Sequence, residues 1–94
     1  MIIGMMTVEA ILYEARSLKE KRSTLKSVIT RIRQRYNVSI TESNHQNVWQ
    51  RAEWTIVAVG SIRIQTEKEL QRALAIIDNH ENLEISNVSW EWLL

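Results

Sequence analysis

The sequence predicts an α+β sandwich in which two helices cover one face of a four-stranded antiparallel sheet. Three observations lead to this fold class. Four segments alternate apolar and polar residues with the period of a β-strand. Two other segments carry apolar residues at helical spacing. Their order along the chain, βαββαβ, allows both helices to lie on the same face of one sheet.

The first strand is predicted over residues 2–12, where the even positions are apolar and face a core. Ser17 and Glu20 have the spacing of a capping box, in which each side chain bonds a backbone amide at the start of a helix. The helix that follows is predicted over residues 18–36, and Asn37 ends it. Its apolar stripe consists of Leu18, Leu25, Val28, Ile29, Ile32 and Tyr36.

A short second strand is predicted around Val38 and Ile40, and the polar residues 43–48 are predicted to form a loop. The third strand is predicted from Trp49 to Ser61. Its even positions face the core, and its odd positions face the open side of the sheet.

Thr66 and Glu69 form a second capping-box pattern, which predicts that the second helix opens there. Its expected inner stripe is Leu70, Ala73, Leu74 and Ile77. The last strand, residues 83–92, alternates unevenly, which indicates a bulge or an irregular edge. Right-handed connections make this arrangement a ferredoxin-like βαββαβ sandwich with the first and third strands in the centre.

The composition limits the possible functions. Residues 1–94 are expected to form a single domain with one core. The chain has no cysteine, which excludes thiol nucleophiles and thiolate metal sites, and its two glycines cannot supply a glycine-rich phosphate loop. Residues 1–10 are predicted to be a strand rather than a signal peptide. No apolar run approaches the ~18–20 residues that span a bilayer, so we expect a cytoplasmic protein with no membrane partner.

The strongest functional signal is a basic segment. Residues 16–35 contain eight Lys or Arg residues and one acidic residue, which gives this segment a formal charge of +7 in a chain whose total is +1. Helical geometry places part of the set on one flank, within about 60° of arc: Lys19, Arg22, Lys26 and Arg33. The other flank carries Arg31 and Arg35. Such a face predicts contact with nucleic-acid phosphates, and pairing with the acidic remainder of a second copy is the alternative.

The polar segment from His45 to Arg51 precedes the third strand and contains Trp49. One interpretation is a recognition loop in which Trp49 stacks on a base or docks on a partner. The other is that Trp49 packs over the sheet edge while Gln50 and Arg51 satisfy backbone groups. His45 is not expected to bind a metal, because no cysteine or acidic pair is spaced to complete a site with it.

The open face of the predicted sheet has no aromatic residue on the central strands, which argues against RNA binding of the RRM type. Val57 and Val59 are expected to form an apolar patch there with Met5, which favours contact with a partner or a second copy. Glu9 and Glu53 are expected to share this face, with Arg51 paired to one of them, and we expect no catalysis. Trp90 and Trp92 are expected either to join the core or to cap the open face.

Five motifs stand out along the chain: A-R-S-L-K-E-K-R at 15–22, L-K-S at 25–27, Y-N-V-S at 36–39, W-Q-R-A at 49–52 and T-E-K-E-L-Q-R-A-L at 66–74. Together they resemble the YlxP-like family, a family of small bacterial proteins of unknown function. The resemblance covers essentially the whole chain and implies the same ferredoxin-like fold. Genes of this family often lie beside those for translation initiation factor two and ribosome-binding factor A, which implies a role near ribosome assembly or translation. No catalytic residues are established for the family, so the resemblance transfers none.

We therefore expect a non-enzymatic accessory protein whose partner is RNA or a ribosomal subunit. No cofactor, metal or small-molecule substrate is expected. The alternative is a protein-interaction module, a homodimer through the sheet face or edge, with an acidic protein as partner. The residues expected to make contact are Arg16, Lys19, Lys21, Arg22, Lys26, Arg33, Trp49, Gln50 and Arg51.

Overall fold

A computed structural model describes residues 1–94. The elements are β1 (Ile2–Ile11), α1 (Leu18–Arg35), β2 (Ser39–Asn44), β3 (Arg51–Gly60), α2 (Arg63–Asp78) and β4 (Glu84–Trp92). All strand pairs are antiparallel, and the sheet order is β2-β3-β1-β4. The predicted ferredoxin-like βαββαβ sandwich is therefore confirmed, with β1 and β3 in the centre. Neither helix combines the length and the apolar character that crossing a bilayer requires.

The core lies between the two helices and one face of the central strands. Met6 and Val8 of β1 and Trp54 and Ile56 of β3 are fully buried, while the odd positions of both strands stay partly or fully exposed. This confirms the prediction that the even positions of both strands face the core. The helices contribute Leu25, Val28, Ile32, Leu70, Ala73 and Ile77 to the same core.

The first helix begins as predicted. The backbone N–H of Glu20 donates to Ser17 Oγ at 3.2 Å, and Glu20 Oε2 accepts from the backbone N–H of Arg16 at 2.7 Å. The two side chains thus satisfy amides that would otherwise lack a partner at the start of α1. The backbone N–H of Tyr36 donates to the carbonyl of Ile32 and closes the last turn.

The second helix begins four residues earlier than predicted, since its N-cap is Ile62 and not Thr66. The N-cap is Ile62, which makes no side-chain capping bond, and Thr66 Oγ1 donates to the Ile62 carbonyl at 2.9 Å from within the first turns. Thr66 is 3 % exposed and packs against Gly60, where an added Cβ would lie 2.2 Å from Thr66 Oγ1. This close approach allows α2 to begin almost directly after β3.

The strand boundaries also differ from the prediction. β2 extends to Asn44, into the segment predicted to be a loop, and β3 begins at Arg51 rather than at Trp49. β4 is irregular as predicted: the residue opposite Glu9 is Asn87, but the residue opposite Ala10 is Ile85. This shift leaves one extra residue in β4, the mark of a β-bulge.

The two tryptophans of β4 lie on the helix side of the sheet and do not cap the open face. They stand opposite Met6 and Gly4, whose positions face the core side. Trp92 packs on Gly4, where an added Cβ would lie 2.7 Å from Trp92 Cζ3. The Arg63 guanidinium lies 4.3 Å from the centre of the Trp92 ring, a cation–π contact that joins the start of α2 to β4. Trp90 remains 38 % exposed.

We expect Gly60→Ala to lower the free energy of unfolding by about 1–3 kcal/mol, because the new Cβ meets the Thr66 hydroxyl in a packed site. In a Thr66→Ala background the same substitution should cost much less, since the clashing oxygen is gone. Urea unfolding of the four proteins of this double-mutant cycle measures the coupling. Equal costs of Gly60→Ala in both backgrounds would show that this contact does not restrict Gly60.

Candidate nucleic-acid interface

The surface of α1 and its N-terminal flank carries a set of exposed, unpaired cations. All ion pairs within 4.0 Å involve other basic residues, namely Lys21, His45, Arg51 and Arg72. The exposed residues without a carboxylate partner are Arg16, Lys19, Arg22, Lys26, Arg31, Arg33 and Arg35. Since the one acidic residue of the segment, Glu20, is used in capping, the positive charge of α1 is left uncompensated.

A shallow groove of about 350 Å³ runs between α1 and the edge strand β2. Arg22, Lys26 and Arg33, three residues of the predicted flank, line it together with the hydroxyl-bearing side chains of Thr30 and Thr41. The Arg33 guanidinium donates to the carbonyl of Ile40 in β2 at 3.0 Å, which holds this side chain along the groove. Glu42 also lines the groove, but its carboxylate is paired with the buried Lys21, so the groove presents three cationic side chains to an anion that lies along the β2 edge.

The basic surface continues on the other flank of α1. A second depression of about 310 Å³ lies between the ends of the two helices and is lined by Arg31, Arg35 and Arg72. The Arg72 guanidinium lies 3.7 Å from a carboxylate oxygen of Glu69, so it is the one member of this trio with an acidic neighbour. Both predicted flanks of α1 are thus basic concave surfaces.

Two acidic residues, Glu84 and Glu91, lie in β4, which is the outer strand at the edge of the sheet opposite β2. A hydrogen bond from the Tyr13 phenol to Glu84, together with the negative charge of that carboxylate, raises the pKa of Tyr13. The unpaired positive charge of α1 therefore lies beside β2, whereas β4 carries two carboxylates and no basic residue.

Lys21 was expected at the contact surface, but the structure places it inside the protein. Its side chain is 1 % exposed, its ammonium donates to the carbonyls of His45 and Val48, and it lies 3.2 Å from Glu42 Oε2. The physical reason is its position on the buried stripe of α1, four residues before Leu25. That spacing is visible in the sequence and distinguishes Lys21 from the other basic residues.

The contacts of Lys21 hold the turn between β2 and β3 against the first turns of α1. In this turn Trp49 is 47 % exposed, and Gln50 is exposed while its carbonyl accepts from the backbone N–H of Leu12 at 2.9 Å. The chain just before Trp49 and Gln50 is thus held by α1, through the bond from Lys21 to the carbonyl of Val48. Arg51 lies apart from them, on the open face of the sheet, where its guanidinium is 3.9 Å from Glu9 Oε2.

The open face of the sheet divides into two halves. One half is apolar and includes Ile3, Met5, Val57 and Val59, of which Val59 is 55 % exposed. The other half is polar, and Glu9 stands directly opposite Glu53 there, as predicted.

His45 belongs to this polar half, since its Nε2 lies 3.7 Å from Glu9 Oε1. The expectation that His45 has no acidic pair near it is wrong. The spacing in the sequence does not reveal the pair of Glu9 and Glu53, because these residues lie on two different strands.

We expect Lys21→Met to lower the free energy of unfolding by about 3 kcal/mol, because it leaves two partly buried carbonyls and Glu42 without their cation. Lys19→Met is the matched control, since Lys19 is exposed, lies on the same helix and has no carboxylate partner; it should change stability by less than about 0.5 kcal/mol. Urea unfolding followed by tryptophan fluorescence measures both. Similar stabilities of the two variants would contradict the structural role of Lys21.

Comparison with known proteins bears on the fold and on the family of this chain. The "Uncharacterized protein YlxP" of Bacillus subtilis (strain 168) is 50 % identical over 91 residues, which cover 97 % of this chain and 99 % of that protein. A de novo designed protein, Foldit4, shares the fold with a TM-score of 0.58 at 14 % identity, over 97 % of each chain. A family model described as "Protein of unknown function (DUF503)" matches residues 3–90. The chain therefore belongs to the YlxP-like, DUF503 family.

Proposed function

We propose that the protein is a non-enzymatic RNA- or ribosome-binding accessory protein of the cytoplasm, with α1 as its phosphate-contacting face. The observation that carries this proposal is the set of seven exposed basic residues on α1 and its flank that have no carboxylate within 4.0 Å. Unpaired cations at this density attract a polyanion, and each phosphate they neutralise releases a counterion.

The groove between α1 and β2 is the part of this face best suited to a sugar–phosphate backbone. Arg22, Lys26 and Arg33 line its length, and hydroxyl groups lie beside them. Phosphate contacts of this kind position a nucleic acid but carry no sequence information by themselves. Trp49, half exposed in the turn that Lys21 holds to α1, supplies a ring on which an unpaired base can stack.

We expect a single-stranded or looped RNA to lie along α1 and not on the open face of the sheet, the face that RRM domains use. The open face of β1 and β3 carries Ile3, Met5, Thr7, Val57 and no aromatic side chain, so bases have no stacking platform there. The gene neighbourhood implied by the family resemblance supports the same class of partner, in ribosome assembly or translation.

We expect the triple substitution Lys19→Gln, Arg22→Gln and Lys26→Gln to weaken binding to ribosomal RNA while the fold is kept. The logarithmic salt slope should fall by about 2 units, because each lost phosphate contact removes roughly 0.7–0.9. The measurement is the affinity for ribosomal RNA and for ribosomal subunits across a salt series.

The matched control is Arg63→Gln, Lys68→Gln and Arg72→Gln, which removes the same charge from α2 and leaves the seven unpaired cations of α1 and its flank in place. A similar loss in both triple variants would mean that only net charge matters. Absence of binding by the unaltered protein at low salt would refute the RNA proposal.

The apolar half of the open face favours a second candidate, a homodimer that then presents its basic helices to an acidic protein. Val59 is 55 % exposed beside Val57 and Met5, an arrangement typical of a contact surface. This candidate predicts that the protein sediments as a dimer and that Val59→Glu makes it a monomer. Thr55→Glu, on the polar half of the same strand, is the control and should leave the dimer intact. A monomer at high protein concentration would exclude this candidate.

A further inference from the structure

The polar half of the open face contains a group of side chains that the proposed function does not use. Glu9 of β1 and Glu53 of β3 stand directly opposite each other on the two central strands, and His45 reaches them from the turn before β3. Like charges in directly opposed positions destabilise a sheet unless a cation lies near them. We call Glu9, His45 and Glu53 the Glu–His–Glu cluster.

The protein itself compensates these two carboxylates only weakly. The Arg51 guanidinium, which is 54 % exposed, comes no closer to Glu9 than 3.9 Å. Ser43 Oγ donates to Glu53 Oε1 at 2.6 Å, but this hydroxyl is neutral. The pair of carboxylates therefore lacks a close, buried positive charge.

The backbone of His45 is held by two hydrogen bonds, and the Nε2 atom of its ring has no hydrogen-bond partner. Its backbone N–H is held by Asn44 Oδ1 at 2.8 Å, and its carbonyl is held by the Lys21 ammonium. His45 Nε2 is shielded from solvent and makes no hydrogen bond. The nearest acidic oxygen, Glu9 Oε1, is 3.7 Å away, which is too far for a hydrogen bond. A buried polar atom of this kind requires a partner that the chain does not provide.

The geometry points to a divalent metal site, and we propose that the Glu–His–Glu cluster binds Zn²⁺. Its three ligand atoms, one imidazole nitrogen and two carboxylate oxygens, lie within 4.8 Å of one another. Donors that bind one Zn²⁺ at about 2.0–2.2 Å are about 3–4 Å apart, so small side-chain rotations suffice. Nitrogen and oxygen donors without sulfur suit a first-row divalent ion, and three protein ligands leave a position for water.

Two contacts within the chain support the positions of these residues. Ser43 orients Glu53 through the 2.6 Å hydrogen bond to Oε1, which leaves Glu53 Oε2 for the metal. Lys21 holds the backbone of His45 through its carbonyl. A bound ion would join β1, β3 and the turn that carries Trp49, and it would neutralise the opposed carboxylates.

The test is titration of the untagged full chain with Zn²⁺ by calorimetry, with Co²⁺ absorption as a report of the ligand set. We expect one ion per chain with a dissociation constant in the micromolar range and a higher melting temperature when the ion is bound. His45→Asn, Glu9→Gln and Glu53→Gln should each weaken binding by about tenfold or more. Asn is chosen at position 45 because the backbone φ is 63° there, a conformation that Asn tolerates.

His80→Asn is the matched control, because His80 is the other histidine of the chain and lies away from the cluster. It should bind Zn²⁺ like the unaltered protein. Circular dichroism of each metal-free variant confirms that the fold is kept. Absence of Zn²⁺ binding, binding that survives His45→Asn, or binding lost in His80→Asn would each overturn the assignment, and the cluster would then be a His45–Glu9 ion pair alone.

Discussion

The buried ammonium of Lys21 is the interaction on which the functional surfaces of this protein depend. Burying a cation is costly unless it is paired and hydrogen-bonded. Lys21 meets this condition with the carbonyls of His45 and Val48 and with the carboxylate of Glu42. These partners belong to the end of β2 and the following turn, so one side chain joins α1 to both. The hydrophobic core holds the helices on the sheet, but Lys21 determines where this turn lies.

The turn between β2 and β3 contributes to both proposed sites. Trp49 is 47 % exposed in this turn, while His45 reaches the open face of the sheet and approaches Glu9. Both side chains are placed by the same short segment, whose carbonyls are bound to Lys21. The proposed RNA surface and the proposed metal site are therefore different sites, but both depend on the bonds from Lys21 to this turn. Loss of these bonds would disturb both sites.

The separation of charge follows from the topology of the sheet. α1 packs next to β2, at one edge, and β4 with Glu84 and Glu91 forms the other edge. A chain with the same composition but mixed charges would have little net field. Here eight of the twelve basic residues fall within positions 16–35, and all of these except Lys21 have no carboxylate within 4.0 Å.

The sequence by itself determined the fold, the buried faces and the basic helix, because these depend on local periodicity and on caps such as that of Ser17. Only the tertiary structure decided the roles of Thr66, Lys21 and His45. Thr66 has the pattern of a cap but packs against Gly60 of the preceding strand. Lys21 and His45 acquire their partners from segments distant in the chain, through strand pairing and helix packing. Residue type and spacing describe what a side chain can do, whereas the register of β1 and β3 and the path of the turn set which groups it meets.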